Sequence, residues 1–540
     1  MIRGRIRSGR SRPSSDPPAV SDGAQARPAP SGEIRRYLGH SEIAIGPRDR
    51  LLIAGIVRPW TMALLAPDAT VDAMLPHDAL LVLERSDPDV VLIESAALGP
   101  GGPWAHAGDP SVADQSGRLH DVLLAARAQG RPTVLWWNTP RSAAPGLIPL
   151  ESLVSLVLGS ETLGDDDPAI PWTPGVQLSR FNSVALDPTR PMRPVFAGGW
   201  DPATHRWTRT YATAALSSLA DAGLEIWLDH ETDSGWLPGH LRPSVSRRFH
   251  PETTPELYRA NALFLADPIA IEGRAGAVAS RTLEQLASGA VMVSGPNDAL
   301  AATLAEGVSW MDSAAGARVA LGEAIERGPL GPGGQRRLLR VLFERHATSV
   351  ALAALATYVG LHRRLSRDRE VCAIVLLGPT VRAESFVDGI LCQRVRPTEA
   401  VLVCDDLEEA RVAVTELEAA GIAARPMVRT TVGDQPLGIV AATTRAGWLW
   451  SWSPNRRLEP TLLLDLLAGA AVSGADAIGW ILDDGDGFVD KLQVDGSIVS
   501  RAAALARPAP EHGSLGPWVR RGGRLFGLGL GVGRATGDDR

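Results

Sequence analysis

The chain has 540 residues and a formal net charge of -7 at pH 7. That length exceeds what one hydrophobic core organises, so about three domains are expected. The acidic balance argues against a generic nucleic-acid binder. Arginine carries almost all the positive charge, Lys491 being the single lysine, which reads as genome composition. Cys372, Cys392 and Cys404 make neither a metal-ligand spacing nor a secreted disulfide framework, so a reducing cytoplasm is expected. No apolar run approaches the ~20 residues a bilayer span needs.

Residues 1–48 carry Arg3, Arg5, Arg7, Arg10 and Arg12 and then Pro, Ser and Ala, without the apolar segment of a secretory signal. They read as a disordered basic tail, with contact to an anionic membrane as the sharper alternative. Residues 49–186 form the first folded module. Leu51–Val57, Asp89–Ser95 and Pro132–Asn138 are continuous apolar runs suited to strands buried on both faces. A helix over Leu119–Gln129 separates the last two, so a parallel doubly wound sheet follows.

Residues 187–365 form a second such module. Pro194–Trp200 is a strand ending in a glycine pair, followed by a helix over Ala203–Ala222, a strand over Leu224–Leu228, a helix over Thr254–Ala260 and a strand over Ala262–Ala266. In Val278–Leu300, Leu283, Leu286 and Ala287 make a helical stripe, Ser288-Gly289 stops it, and Val291–Val293 is the next strand. A long helical region, Gln335–Arg364, closes the module. Two Rossmann-like halves in tandem should enclose a cleft.

Residues 370–540 form a third α/β module. Strands are expected over Val371–Leu377 and Glu399–Asp406, with helices over Ala383–Arg394, Ala441–Ala446 and Pro460–Ser473. The glycine-rich segment after Gly523 is expected to fray.

Gly198 and Gly199, between a strand and a helix, could turn backbone N–H groups toward a diphosphate, although such a pair is common in any α/β fold. Arg206 and Arg209 follow and could add charge; most such arginines are solvated. Glu284 is placed to accept from a ribose diol, and Arg281 or Arg274 could neutralise phosphate. The plain alternative for Glu284 and Arg281 is a surface ion pair. Departure of a nucleoside diphosphate needs stabilisation of the charge that builds on it, and this group supplies it without a metal. On the acceptor side, Glu94 at a strand end and His106 beyond GPGGPW are candidate general bases. Loop support for Glu94 and simple exposure for His106 are the competing roles.

Five segments, SRTLEQLASGAVMVSGP, FAGGW, FHPETTPELYR, VVLIESAALGPGGPW and PTVLWWN, resemble their counterparts in the spore-protein CgeB-like glycosyltransferases, a GT-B-fold family. The resemblance covers about Leu51–Leu365. It implies that Glu284 meets the donor ribose, that Gly198 and Gly199 lie near the donor diphosphate, that Arg281 precedes the helix core, and that Asn182 stands near the interdomain linker. Two positions depart from the pattern. Gly276 stands where many retaining GT-B enzymes have a second glutamate, and Thr139-Pro140-Arg141 replaces an acidic and basic run. The third module resembles the opening of a family 2 GT-A glycosyltransferase, with Asp405-Asp406 matching the aspartate that meets the base. Its Asp-x-Asp metal motif is replaced by Ser453-Pro454-Asn455, and Ser and Asn do not bring the charge a hard cation requires. Asp483–Gly487 is too short for a calcium loop.

The expected protein is therefore an α/β glycosyltransferase of two Rossmann-like domains (GT-B) followed by a degenerate GT-A-like domain. It would be cytoplasmic, with peripheral contact at the inner face of the membrane and homo-oligomer formation both compatible with the sequence. It would move a sugar from a nucleotide-sugar donor to a surface-glycan, cell-envelope or lipid-linked acceptor, with no metal or other cofactor and no nucleic-acid partner. The alternative is a non-catalytic nucleotide-sugar or glycan-binding protein.

Overall fold

The computed structural model describes residues 50–99, 101–109, 112–139, 141, 144–159, 169–200, 206–229, 234–266, 280–295, 297–361, 369–433, 436–454, 459–482, 485–507, 510 and 513–529. The basic tail, residues 1–48, lies outside them; the first strand begins at Leu51.

The first sheet comprises β1 (Leu51–Ile56), β2 (Ala69–Ala73), β3 (Val90–Glu94), β4 (Thr133–Trp137), β5 (Leu156–Gly159) and β6 (Ile170–Pro171). Its order is β2-β1-β3-β4-β5-β6, parallel throughout. The apolar runs are continuous because both faces are covered. Ile56, Val91, Ile93, Leu135 and Trp137 pack under the helices Ala79–Ser86 and Ala113–Ala128. Leu51, Ile53, Val90, Leu92 and Trp136 pack on the other face, against Trp172, Leu352 and Leu355.

The second sheet comprises β7 (Val195–Gly198), β8 (Glu225–Asp229), β9 (Val245–Phe249), β10 (Leu263–Leu265), β11 (Val291–Ser294) and β12 (Val308–Trp310). All neighbours are parallel, in the order β12-β11-β10-β7-β8-β9. Counted from β7, that is the dinucleotide-fold order 3-2-1-4-5-6. The order reverses between β7 and β10, and between β1 and β3 in the first sheet; ligands of open α/β sheets gather at the carboxyl ends of such strand pairs.

The two sheets are joined twice. Residues 172–194 lead from the first to the second, and the helix Thr348–Tyr358 returns to the first, where it covers Leu92 and Trp136. The two connections lie side by side: Val176 N–H donates to the His346 carbonyl (2.7 Å) and Thr348 N–H to the Val176 carbonyl (3.0 Å). This pairing explains why the expected helix over Gln335–Arg364 is not continuous. It is a helix over Pro332–Val341, a π turn over Leu342–His346, and a break at extended Ala347 (φ -67°, ψ 146°) before the last helix. Arg364 lies outside the described residues.

The third sheet comprises β13 (Val371–Leu376), β14 (Glu399–Cys404), β15 (Ala423–Val428), β16 (Trp448–Ser451), β17 (Ala477–Ile481), β18 (Gly487–Phe488), β19 (Ile498–Ser500) and β20 (Leu525–Gly529). Its order is β15-β14-β13-β16-β19-β17-β20-β18. The first four strands are parallel, and β19 runs against both its neighbours. The expectation that the segment after Gly523 frays is overturned for residues 524–529; residues 530–540 lie outside the described residues. Leu525–Gly529 is a fully buried strand between β17 and β18, because Leu525, Phe526 and Leu528 carry apolar side chains to both faces and its glycines admit close neighbours. The helix expected at Ala441–Ala446 instead spans Pro436–Thr443.

The helix Leu462–Ser473 is buried almost throughout and packs against Pro332–Val341 of the second module. Arg340 grips the buried Asp465 with both arms of its guanidinium, at 2.6 and 2.7 Å. Arg336 reaches Asp486 (2.9 Å) and the Gly529 carbonyl (2.7 Å) while lying over the Trp480 ring. The third module thus shares a continuous apolar core with the second.

Candidate functional site

The helix Ser280–Ala287 follows β10, so its first turn lies at the carboxyl edge of the second sheet, beside the end of β7. Thr282, Leu283, Glu284, Gln285, Leu286 and Ala287 are all buried, a density that the apolar stripe alone does not require. Glu284 is fully buried, and neither carboxylate oxygen has a hydrogen-bond partner among the described residues. Burial pushes its pKa up to about 8, against the pull of Arg281 and Arg180, whose charges favour the ionised form. A surface ion pair is thereby excluded. An unsatisfied buried carboxyl costs free energy, so its retention in so confined a place suits a group that meets a donor when a ligand is present.

Arg281 projects from the same helix across the ends of β7 and β8. Its guanidinium donates to Asp229 (3.0 Å) at the end of β8. The other arm covers Gly198, where a Cβ would stand 2.8 Å from Nη1. Gly198 closes β7 and is buried; Gly199 is half-buried beside it. Gly198, Arg281 and Glu284, named from the sequence for one site, are therefore gathered at one point, and the strand-order reversal between β7 and β10 is that point. The helix after the glycine pair begins at Arg206 rather than Ala203. Only the backbone of Arg206 and Arg209 is described, and Arg274 and Gly276 lie outside the described residues, as do the stretches following β7, β8 and β10 (201–205, 230–233 and 267–279).

The connection between the sheets is pinned from both sides. Gln177 Nε2 donates to the Leu64 carbonyl (3.3 Å) and Asp68 (2.9 Å) of the first module. Arg259 grips the carbonyls of Asn182 (2.7 Å) and Val184 (2.6 Å) from the second. Asn182 stands at this junction and also reaches the Val472 carbonyl of the third module (3.4 Å). Arg190 caps the Ser288-Gly289 turn, donating to both carbonyls; burial lowers its pKa to about 10. Between the pins, Phe181 packs edge-on against Trp60 and tilted against Tyr258. Arg180 lies over the Trp60 ring, 5.4 Å from its centroid. Sequence reasoning missed Arg180, Trp60 and Asp229. Arg180 stands two residues before Asn182, but nothing in its spacing linked it to Glu284.

At the ends of β1, β3 and β4 a second polar cluster forms. Glu94, fully buried, accepts from Arg58 N (2.8 Å), Arg58 Nε (2.7 Å) and Asn138 Nδ2 (2.6 Å). Ser95 Oγ meets Asn138, Thr139 Oγ1 and both their backbone N–H groups. These bonds tie three strand ends together, the contacts that the loop-support role expects, with both oxygens accepting. His106 is exposed on the following loop in a left-handed conformation (φ 64°).

At the carboxyl edge of the third sheet Asp405 is exposed and held by Arg429 (2.9 Å), while Asp406 caps the next helix at Glu408 N (3.1 Å). Ser453 is buried at the end of β16; Asn455, Asp483 and Asp484 lie outside the described residues. No group of three His, Cys, Asp or Glu side chains among the described residues gathers as metal ligands. No helix among them is long and apolar enough to cross a membrane.

No protein-family model and no curated protein matches the chain. Solved structures resemble it in outline. AviGT4, a glycosyltransferase involved in avilamycin A biosynthesis, aligns at 16% identity over 57% of this chain and 97% of that one, with a TM-score of 0.34. Os79 from O. sativa in complex with UDP aligns at 12% over 60% and 95%, with a TM-score of 0.27. A UDP-N-acetylglucosamine 2-epimerase aligns at 9% over 58% and 98%, with a TM-score of 0.30. The chain is a mixed α/β protein whose first two sheets are parallel and Rossmann-like and whose third is mixed, a conclusion that stands on its own strand orders and burial.

Proposed function

We propose that the protein is a glycosyltransferase of GT-B architecture that binds a nucleotide-sugar donor at the β7/β10 crevice. The observation that carries this is Glu284, buried and lacking a hydrogen-bond partner among the described residues, beside Arg281 where the strand order reverses. A ribose diol supplies the two donors the carboxyl lacks. Arg281, steadied by Asp229 over Gly198, meets the diphosphate. In transfer, the bond from the sugar's anomeric carbon to the diphosphate oxygen breaks, that carbon joins an acceptor hydroxyl oxygen, and the hydroxyl's proton passes to the departing diphosphate. The charge left on the diphosphate falls to arginine rather than to a metal. The acceptor, a surface or cell-envelope glycan free or lipid-linked, enters from the first sheet. The third module serves as a degenerate GT-A-like domain. Its parallel opening half, ordered 3-2-1-4 from β13, supports that reading, as does uncharged Ser453 at the end of β16.

A thermal-shift panel of UDP, GDP, ADP, CDP and TDP tests the proposal, since a ligand of the folded state raises the unfolding temperature according to its affinity. At least one diphosphate should stabilise the protein, and donor hydrolysis should vanish in Glu284→Ala. Stabilisation by none would sink it. Gly198→Ala should weaken that diphosphate about tenfold, because a Cβ there would stand 2.8 Å from Arg281 Nη1 and push the guanidinium aside; unchanged affinity in a titration would separate Arg281 from the phosphate. A non-catalytic binding role is the second reading, favoured by the occupied oxygens of Glu94. Binding without turnover of any nucleotide sugar would select it.

A further inference from the structure

We infer that Arg58 is an oxyanion-binding residue at the crevice of the first sheet, and hence that the acceptor carries a phosphate or a carboxylate. The inference rests on the proposed transferase reading, which brings the acceptor to that sheet, and extends it from where the acceptor enters to what it carries. Arg58 stands just beyond β1, and Glu94 ends β3. Their ion pair therefore spans the point at which the strand order of the first sheet reverses, where ligands of such sheets gather.

The way the two side chains meet leaves donors over. In a closed arginine bridge two nitrogens meet two oxygens, as Arg340 meets Asp465 through Nε and Nη2. Glu94 instead takes Arg58 Nε on Oε1 (2.7 Å), while its Oε2 accepts from the backbone N–H of Arg58 (2.8 Å). Asn138 Nδ2 donates to Oε1 as well, at 2.6 Å. Arg58 Nη1 and Nη2 are left without a hydrogen-bond partner among the described residues. Glu94 is fully buried, yet the Arg58 side chain is 36% exposed. The backbone is restrained too: Arg58 precedes Pro59 at the start of the helix Pro59–Leu65, and its carbonyl accepts from Met62 N–H (3.0 Å). A guanidinium fixed at its Nε and open at its Nη groups presents a planar fork that matches two oxygens of a phosphate or carboxylate. Fixing the long side chain beforehand also removes the entropy that a freely solvated arginine would lose on binding. A neutral glycan offers that fork no charge to meet.

The test is calorimetric titration of the full chain with glucose 6-phosphate, glucuronate and methyl glucoside, with and without a saturating nucleoside diphosphate chosen by the thermal-shift panel. An anionic sugar should bind, and the uncharged glucoside about tenfold more weakly or not at all; the phosphate and carboxylate arms tell which oxyanion the acceptor carries. Arg58→Gln sets an amide nitrogen where Nε stands, so Glu94 keeps a hydrogen bond and the strand ends stay tied. It should bind the anionic sugar about tenfold more weakly, with the circular-dichroism spectrum and nucleoside diphosphate affinity of the wild type. Arg58→Lys, which keeps the charge and loses the fork, should fall between. Equal affinity, or none, for charged and uncharged sugars overturns the inference, and so does an anionic sugar that Arg58→Gln binds as the wild type does. Equal loss of sugar and nucleoside diphosphate in Arg58→Gln marks a structural role and overturns it as well. A wild type that binds the anionic sugar through Arg58 but no nucleoside diphosphate leaves the anion site standing and removes the donor reading alone.

Discussion

Glu284→Gln is expected to make the folded protein more stable at pH 8 and nearly unchanged at pH 4, while removing donor use. The sign follows from the proton. Glu284 has a folded-state pKa of about 8 against 4.5 for the free side chain. Between those values the folded state keeps a proton that the unfolded chain has lost, so stability falls as pH rises from 4.5 to 8 and is level outside that window. At roughly 1.4 kcal/mol per pKa unit, the loss is on the order of several kcal/mol. Glutamine has no proton to lose, so its urea-unfolding free energy should lack this slope. Identical pH profiles for the two proteins would show that the carboxyl is not buried as described. The same carboxyl should make the site reject 2′-deoxynucleotides by about a hundredfold or more, since a site built around a hydroxyl leaves its own polar group unpaired when that hydroxyl is missing. A 2′-deoxy donor used as well as its ribo counterpart would place the ribose elsewhere.

Breaking the Arg340–Asp465 pair should have the largest effect on stability. Both groups are drawn from water at the joint between the second and third modules, and the pair is bidentate. Desolvation pushes the Asp465 carboxyl up, while the carboxylate raises Arg340 in turn. Arg340→Ala strands a buried carboxylate and should cost about 3–5 kcal/mol, whereas replacing both partners with leucine or methionine should recover most of it. Denaturant unfolding of the single and double variants measures this. A single variant as stable as the wild type would mean that the pair contributes nothing at this joint.

The strands of the first two sheets were legible because burial on both faces leaves continuous apolar runs such as Val90–Glu94 and Val291–Ser294. Short or polar edge strands were not, since Val245–Phe249 carries Ser246, Arg247 and Arg248 and shows neither a run nor alternation. The C-terminal strand was misread because its glycines suggest a loose tail, whereas Gly527 faces Ile481 at a distance no larger residue could keep. In the site, Gly198, Arg281 and Glu284 could be named because a strand-glycine turn and a helix after a strand both mark the carboxyl edge of a sheet. Arg180 could not, because it is brought in by the crossing of two connections far apart in sequence. Glu94 shows the converse: a carboxylate at a strand end suggested chemistry, and its partners Arg58 and Asn138 came from other strand ends that local pattern does not join to it.

The returning helix Thr348–Tyr358 has a practical bearing on how the polypeptide can be dissected. Since Leu352 and Leu355 complete the packing over β1, β3 and β4, an excised piece covering residues 49–186 would expose an oily groove and should aggregate or recruit chaperones during expression. Supplying residues 347–361 as a separate peptide, or grafting them behind residue 186 through a flexible tether, should restore solubility; a well-behaved monomer without them would show that the groove closes by itself.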